Sequence, residues 1–184
     1  ADWLIASASF FPGMSLTTIQ GQNYMDGGYK NNLPQDVALK NQAQLLVTID
    51  AKGPGIIKNV TFPKDTCEIF LKTPWALGEI LYFDGLTAKG NMTLGYLEGQ
   101  KALGLATGYW YTFQNDFLKE QFALAQEFLK QNEVNQEAYE DLKRLYQKEV
   151  SLMNLGMVAL ELLGRYFSVL PNVYYTLDEL VELI

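Results

Sequence analysis

The chain has 184 residues, 48% of them apolar and 13% aromatic, with a formal net charge of -7. That composition is globular rather than disordered or collagen-like, and the acidic balance repels phosphate backbones, so nucleic acid is not an expected partner. There is no histidine and a single cysteine, Cys67; an internal disulfide and a zinc-type ligand set are excluded, a reducing and cytoplasmic setting fits, and acid/base chemistry falls to carboxylates.

Trp3 to Ser9 mix small and apolar types and stop at Phe10-Phe11-Pro12-Gly13, which predicts a short buried element. Leu16 to Ile19 and Gln22 to Met25 flank Gly21 and read as a hairpin that delivers the chain to Asp26. Gln35 to Asn41 reads as a short helix with Pro34 suited to its first turn. Gln44 to Asp50 is a continuous apolar run ending in an acid, the pattern of a strand buried on both faces in a parallel sheet covered by helices. Glu68 to Thr73 is a further strand, and Leu94 to Leu103 a helix.

From Phe113 onward the apolar period becomes about 3.6, with one stripe through Phe117, Phe122, Ala125 and Leu129 and another through Tyr139, Leu142, Leu145, Tyr146 and Val150. Leu152 to Phe167 is apolar around more of its circumference and should be the most buried helix, closed by Pro171. Thr176-Leu177-Asp178-Glu179 has capping-box spacing and opens a last helix to Ile184. The expected organisation is an α/β part over residues 1–104, a mainly parallel sheet with flanking helices, and an all-helical extension over residues 105–184. No stretch approaches the roughly 18 consecutive apolar residues of a membrane span. The opening Ala1-Asp2-Trp3 runs at once into apolar sequence and reads as a fragment or processed product of something longer.

The most informative stretch is Tyr24-Met25-Asp26-Gly27-Gly28-Tyr29-Lys30-Asn31-Asn32-Leu33-Pro34. Adjacent glycines permit positive φ and close backbone approach, so Gly27 and Gly28 can hold Asp26 in a conformation other residues resist. On its own, Asp-Gly-Gly is also what a type I′ or II′ turn looks like. Asn31 and Asn32 are placed to bond the loop that fixes Asp26. Ser7 and Ser9, between alanines, read as small packed residues whose hydroxyls bond backbone. Asp50 could pair with Asp26 about a metal, or cap the loop after its strand, which is the commoner role of a strand-end acid. Lys52-Gly53-Pro54-Gly55 is rejected as a nucleotide loop, because Pro54 lacks an amide donor and the third glycine of GxGxxG is missing. Tyr109-Trp110-Tyr111 with Phe113 reads as core packing.

The series Ala6-Ser7-Ala8-Ser9-Phe10-Phe11-Pro12, then Gly21-Gln22-Asn23-Tyr24-Met25-Asp26-Gly27-Gly28, then Asn31-Asn32-Leu33-Pro34 and the strand to Asp50 resembles the second half of a patatin-like phospholipase. Ile69 to Pro74, Gly78, Leu81-Tyr82-Phe83 and Leu94 to Leu103 are similar to the stretch where such domains finish, so the resemblance covers roughly residues 3 to 104. It implies a lipid acyl hydrolase with a Ser-Asp dyad, Asp26 as the dyad base, a lipid or other acyl ester as substrate, and no metal or other cofactor. The family's serine sits in a GxSxG elbow, with a separate glycine-rich oxyanion loop. This chain contains neither: Ser7, Ser9, Ser15, Ser151 and Ser168 all lack the flanking glycines. The expectation is therefore an inactive part of such an enzyme, making at most apolar, interfacial contact with membranes. A sheet lacking its first strands would expose an edge able to pair with a second copy. The alternative is a non-enzymatic binding or interaction module in which the turn is only architecture.

Overall fold

The computed structural model describes residues 1–114, 123, 125–127, 130, 136–151 and 153–184. The fold is mixed α/β, and the chain divides into two compact units, residues 1–72 with 77–84 and residues 73–76 with 85–184. The division falls at the start of a long helix, α4 (Gly85–Ala102). The reason is packing: α4 buries Leu94 and Leu97 and lies against strands of the second unit.

In the first unit, α1 (Asp2–Ser7) leads to a hairpin of β1 (Thr17–Ile19) and β2 (Gln22–Tyr24). Gln20 at φ 49° and Gly21 at φ 76° make the tight two-residue connection whose twist matches paired strands, with Thr17 opposite Tyr24. The segment expected to be a short buried element is helix α1, and Trp3, Leu4 and Ile5 on it are exposed; Ala6 is its buried residue. A six-residue run of mixed apolar types has too little length to reveal which side it turns to solvent. Next come α2 (Gly28–Asn31) and α3 (Gln35–Lys40), with Pro34 at the latter's N-cap.

Strands β3 (Leu45–Ile49) and β4 (Cys67–Leu71) pair in parallel, Leu45 opposite Cys67 through Ile49 opposite Leu71. The crossover between them, residues 50–66, contains neither helix nor strand. Burial along β3 alternates. Leu46 and Thr48 are buried, with α3 packed against the strand, while Leu45, Val47 and Ile49 are 61%, 61% and 66% exposed. The expectation of a strand covered on both faces is thus corrected: one face is covered, and the other is apolar and open. An all-apolar run reads the same in either case, because the sidedness that alternating polar residues would mark is missing.

The second unit holds the main core. Strands β5 (Ala106–Thr107), β6 (Thr112–Gln114) and β7 (Tyr174–Tyr175) form a sheet in which β6 is central, antiparallel to β5 and parallel to β7. Helices α5 (Gln136–Tyr146), α6 (Leu155–Tyr166) and α7 (Leu177–Glu182) belong to it. Helix α6 is buried from Leu155 through Glu161 and again at Gly164, as its all-round apolar sequence predicts. Trp110, Tyr111 and Phe113 are buried in this core. On α5 the stripe of Tyr139, Leu142 and Tyr146 turns inward with Val150 beyond it, whereas Leu145 is exposed. Thr176 and Glu179 make the reciprocal capping box at the start of α7. Of the earlier stripe, Phe117, Phe122 and Leu129 lie outside the described residues, and Ala125 is buried. Among the described residues no helix is long and apolar enough to cross a membrane.

Candidate functional site

Asp26 follows β2 and precedes α2, half-buried, with its backbone N–H donating to Ser9 O at 2.9 Å. Its Oδ1 accepts the Gly28 N–H at 2.6 Å, an Asx turn that leads the chain into α2. Among the described residues no donor meets Oδ2. One oxygen of the carboxylate is therefore fixed by the turn.

The two glycines do not work by left-handed backbone. Gly27 has φ -65° and ψ -20°, Gly28 begins the helix, and neither has a positive φ, so the I′ or II′ turn is replaced by a helix entry. A Cβ on Gly27 would meet nothing within 4 Å. One on Gly28 would stand 3.0 Å from Asp26 Oδ1, 3.0 Å from Asn32 Oδ1 and 3.2 Å from Pro54 O. Gly28 serves close approach, and Gly27 is there without a steric demand.

The two asparagines divide their tasks. Asn31 Nδ2 donates to Asp36 Oδ1 at 2.6 Å, bracing α2 against α3, and its buried Oδ1 has no partner among the described residues. That amide bond, followed by the nearby Lys58 and Lys40 ammonium groups, holds the Asp36 carboxyl below its ordinary range. Asn32 reaches the other way: its N–H donates to Ile56 O at 2.7 Å and its Nδ2 to Gly53 O at 3.0 Å. Ile56 N–H returns a bond to Gly28 O at 2.8 Å. The loop dismissed as a nucleotide site is therefore clasped to the Asp26 turn.

Asp50, at the end of β3, is buried with both oxygens engaged. Lys72 Nζ lies 2.6 Å from Oδ2, and the Lys52 N–H donates to Oδ1 at 2.8 Å. The Lys72 bond, then the Lys52 amide, lowers its carboxyl below the ordinary value against the opposing effect of burial. It caps the loop after its strand. Among the described residues no group of three or more His, Cys, Asp or Glu side chains is placed to hold a metal ion. Ser9 is buried and its hydroxyl bonds Ile5 O at 2.8 Å and Thr17 Oγ1 at 2.6 Å, a structural use; Ser7 is exposed. A cleft of about 380 Å³ runs along β3 and is lined by Leu33, Pro34, Ala38 and Leu45 to Ile49; Asp26 is not part of its lining.

In the second unit, Glu161 is fully buried on α6. Its Oε1 accepts the N–H groups of Tyr109 and Tyr111, both at 2.9 Å, and Tyr146 OH bonds its Oε2. Burial pushes its carboxyl up, opposed by those three donors and the Lys101 charge. Burial also raises the Tyr146 hydroxyl far above its ordinary value. Sequence reasoning passed over this residue. The available signal was a lone acid inside the most apolar helix, a position where a carboxylate persists only when donors surround it. No protein-family model, curated protein or solved structure matches the chain.

Proposed function

We propose that this chain is the base-bearing part of a patatin-like serine acyl hydrolase, with Asp26 taking the proton of a serine hydroxyl carried on a separate segment. The observation that carries the reading is the asymmetric carboxylate: Oδ1 is immobilised by the Gly28 amide while Oδ2 meets no donor among the described residues. A general base must be held in place and must keep an acceptor lone pair for the nucleophile, and this arrangement provides both. The edge of β3 is a second support, because among the described residues β4 is its sole strand neighbour and the opposite edge can take a further strand. The substrate class is a lipid or other acyl ester, and the chemistry calls on no cofactor. Exposed Cys67, with no second cysteine to join, suits a reducing, cytoplasmic location.

A positioned base contributes about two to four powers of ten in rate, and each oxyanion donor about two to three. This chain supplies the first and none of the second. The test is hydrolysis of a short-chain nitrophenyl ester by the chain alone and by the chain joined to a segment that carries a GxSxG serine and an oxyanion loop. Activity appears only in the joined protein, and Asp26→Asn lowers it by about a hundredfold or more. An Asp26→Asn enzyme within about threefold of the parent would refute the assignment. The second reading, an interaction module, is favoured by the same Asx turn, since an architectural aspartate would also bond the Gly28 amide. A joined protein no more active than the chain alone would decide for it.

A further inference from the structure

We infer that the loop Lys52 to Ile56 is a positioning clasp for Asp26, anchored at one end by Asp50 and closed at the other by Gly55. The anchor is complete on both oxygens: Asp50 Oδ1 takes the Lys52 N–H and Oδ2 the Lys72 ammonium, with Asp50 N–H itself donating to Leu71 O at 2.9 Å on β4. From there the backbone turns through Lys52, at φ 57°, toward the Asp26 turn. Three bonds close on it: Asn32 Nδ2 to Gly53 O, Asn32 N–H to Ile56 O and Ile56 N–H to Gly28 O.

Gly55 sits where the two segments touch. A Cβ there would lie 2.7 Å from Gly28 O, 2.8 Å from Asn32 Cβ and 2.9 Å from Asn32 Cγ, distances that side chains do not occupy. Its neighbour Gly53 carries no such demand, since a Cβ would meet nothing within 4 Å. Gly28 is gripped from both sides: its N–H holds Asp26 Oδ1 and its C=O holds the loop. Any displacement of the loop is therefore passed through one residue, Gly28, to the carboxylate. Asp50 and Gly55 act on Asp26 through the backbone and touch no reacting atom; they are positioning residues.

This inference rests on Asp26 being the base, and its test is made on the chain itself, where that reading is not at stake. Nuclear magnetic resonance gives the Asp26 carboxyl carbon shift and the hydrogen-exchange rate of the Gly28 amide. Gly55→Ala moves the carboxyl resonance and speeds Gly28 exchange by about tenfold or more, while Gly53→Ala changes neither. Wild-type values for both in Gly55→Ala would overturn the clasp. If Gly55→Ala does not fold, Asn32→Ala removes the bond to Gly53 without adding atoms and must show the same two changes. An unaltered Asp26 environment there would also overturn it. In the joined enzyme, Gly55→Ala lowers kcat and leaves KM in place. A fully active Asp26→Asn enzyme would instead end the hydrolase reading and leave the resonance result standing.

Discussion

Glu161→Leu is the most severe single change the structure points to, and Glu161→Gln is its control. Leucine removes the acceptor of two backbone N–H groups, from Tyr109 and Tyr111, and of the Tyr146 hydroxyl, in a site with no solvent exposure. Each buried donor left unpaired costs about 1–3 kcal/mol, and removal of a carboxyl whose burial is unfavourable returns part of that, so the net loss is about 3–5 kcal/mol. Glutamine keeps an oxygen for the two amides and turns only the Tyr146 bond around, for about 1 kcal/mol. Urea unfolding of the full chain, followed by near-ultraviolet dichroism, to which the Trp75, Trp110 and Tyr111 cluster contributes, measures the loss. A leucine variant no less stable than the glutamine one would refute the role of Glu161 as an acceptor hub. The pH arm has a definite sign. Because the folded carboxyl titrates above its unfolded value of about 4.3, its favourable contribution is whole below that pH and declines as pH rises through the folded value. The stability of the wild type relative to Glu161→Gln therefore falls from acid to neutral pH; a constant difference would be inconsistent with a raised carboxyl.

Gly27→Ala should be neutral or stabilising by about 0.5 kcal/mol, since its backbone is right-handed and its surroundings are open, whereas Gly28→Ala should cost about 1–2 kcal/mol; equal thermal midpoints would contradict the close-approach role of Gly28. Gly108→Ala places a Cβ against Tyr111 O at φ 106° and should cost about 3 kcal/mol, with a change under about 0.5 kcal/mol counting against it. Asp50 titrates below its unfolded value of about 3.9, so its contribution is whole above that pH and lost as pH falls through the folded value. Amide exchange of Lys52 and Ile56 should therefore accelerate in acid, and Asp50→Asn should flatten that dependence; an acid response unchanged by Asp50→Asn would separate the loop from this carboxylate.

What the sequence made legible is what local chemistry decides. Gln20-Gly21 between two short β runs specifies its hairpin through two positive φ angles, and Thr176 with Glu179 specifies a helix start through bonds inside one turn. Strands β3 and β4 were readable as strands, yet the openness of one β3 face was not, because exposure depends on what else packs nearby. The same limit hid the task of Gly28: its constraint comes from Pro54 and Asn32, one of them 26 residues away, and nothing in Asp-Gly-Gly says whether a glycine serves torsion or space. Glu161 was overlooked for a related reason. Its partners come from the stretch around Tyr109 to Tyr111 and from Tyr146, so only the folded chain shows an acid at home among apolar residues.

The open edge of β3 carries its own test. Asp50 N–H and Gln44 C=O both bond β4, so the even-numbered residues between them face that partner, and the N–H and C=O groups of Leu45, Val47 and Ile49 point to the opposite edge, which no strand pairs among the described residues. In the first unit the buried hydrophobic side chains are Ala6, Leu33 and Leu46, fewer than the aromatic cluster of the second unit, which buries Tyr111 and Phe113. The Tyr111 amide, buried and bonded to Glu161, should exchange hydrogen among the slowest in the chain, and those of Val47 and Ile49 close to the unprotected rate. Protection of Val47 and Ile49 that fades on dilution would identify a second copy paired along β3, the dimer that an uncovered edge invites. Protection equal to that of Tyr111 and independent of concentration would mean the edge is closed within one chain, and the case for further sheet beside β3 would fall with it.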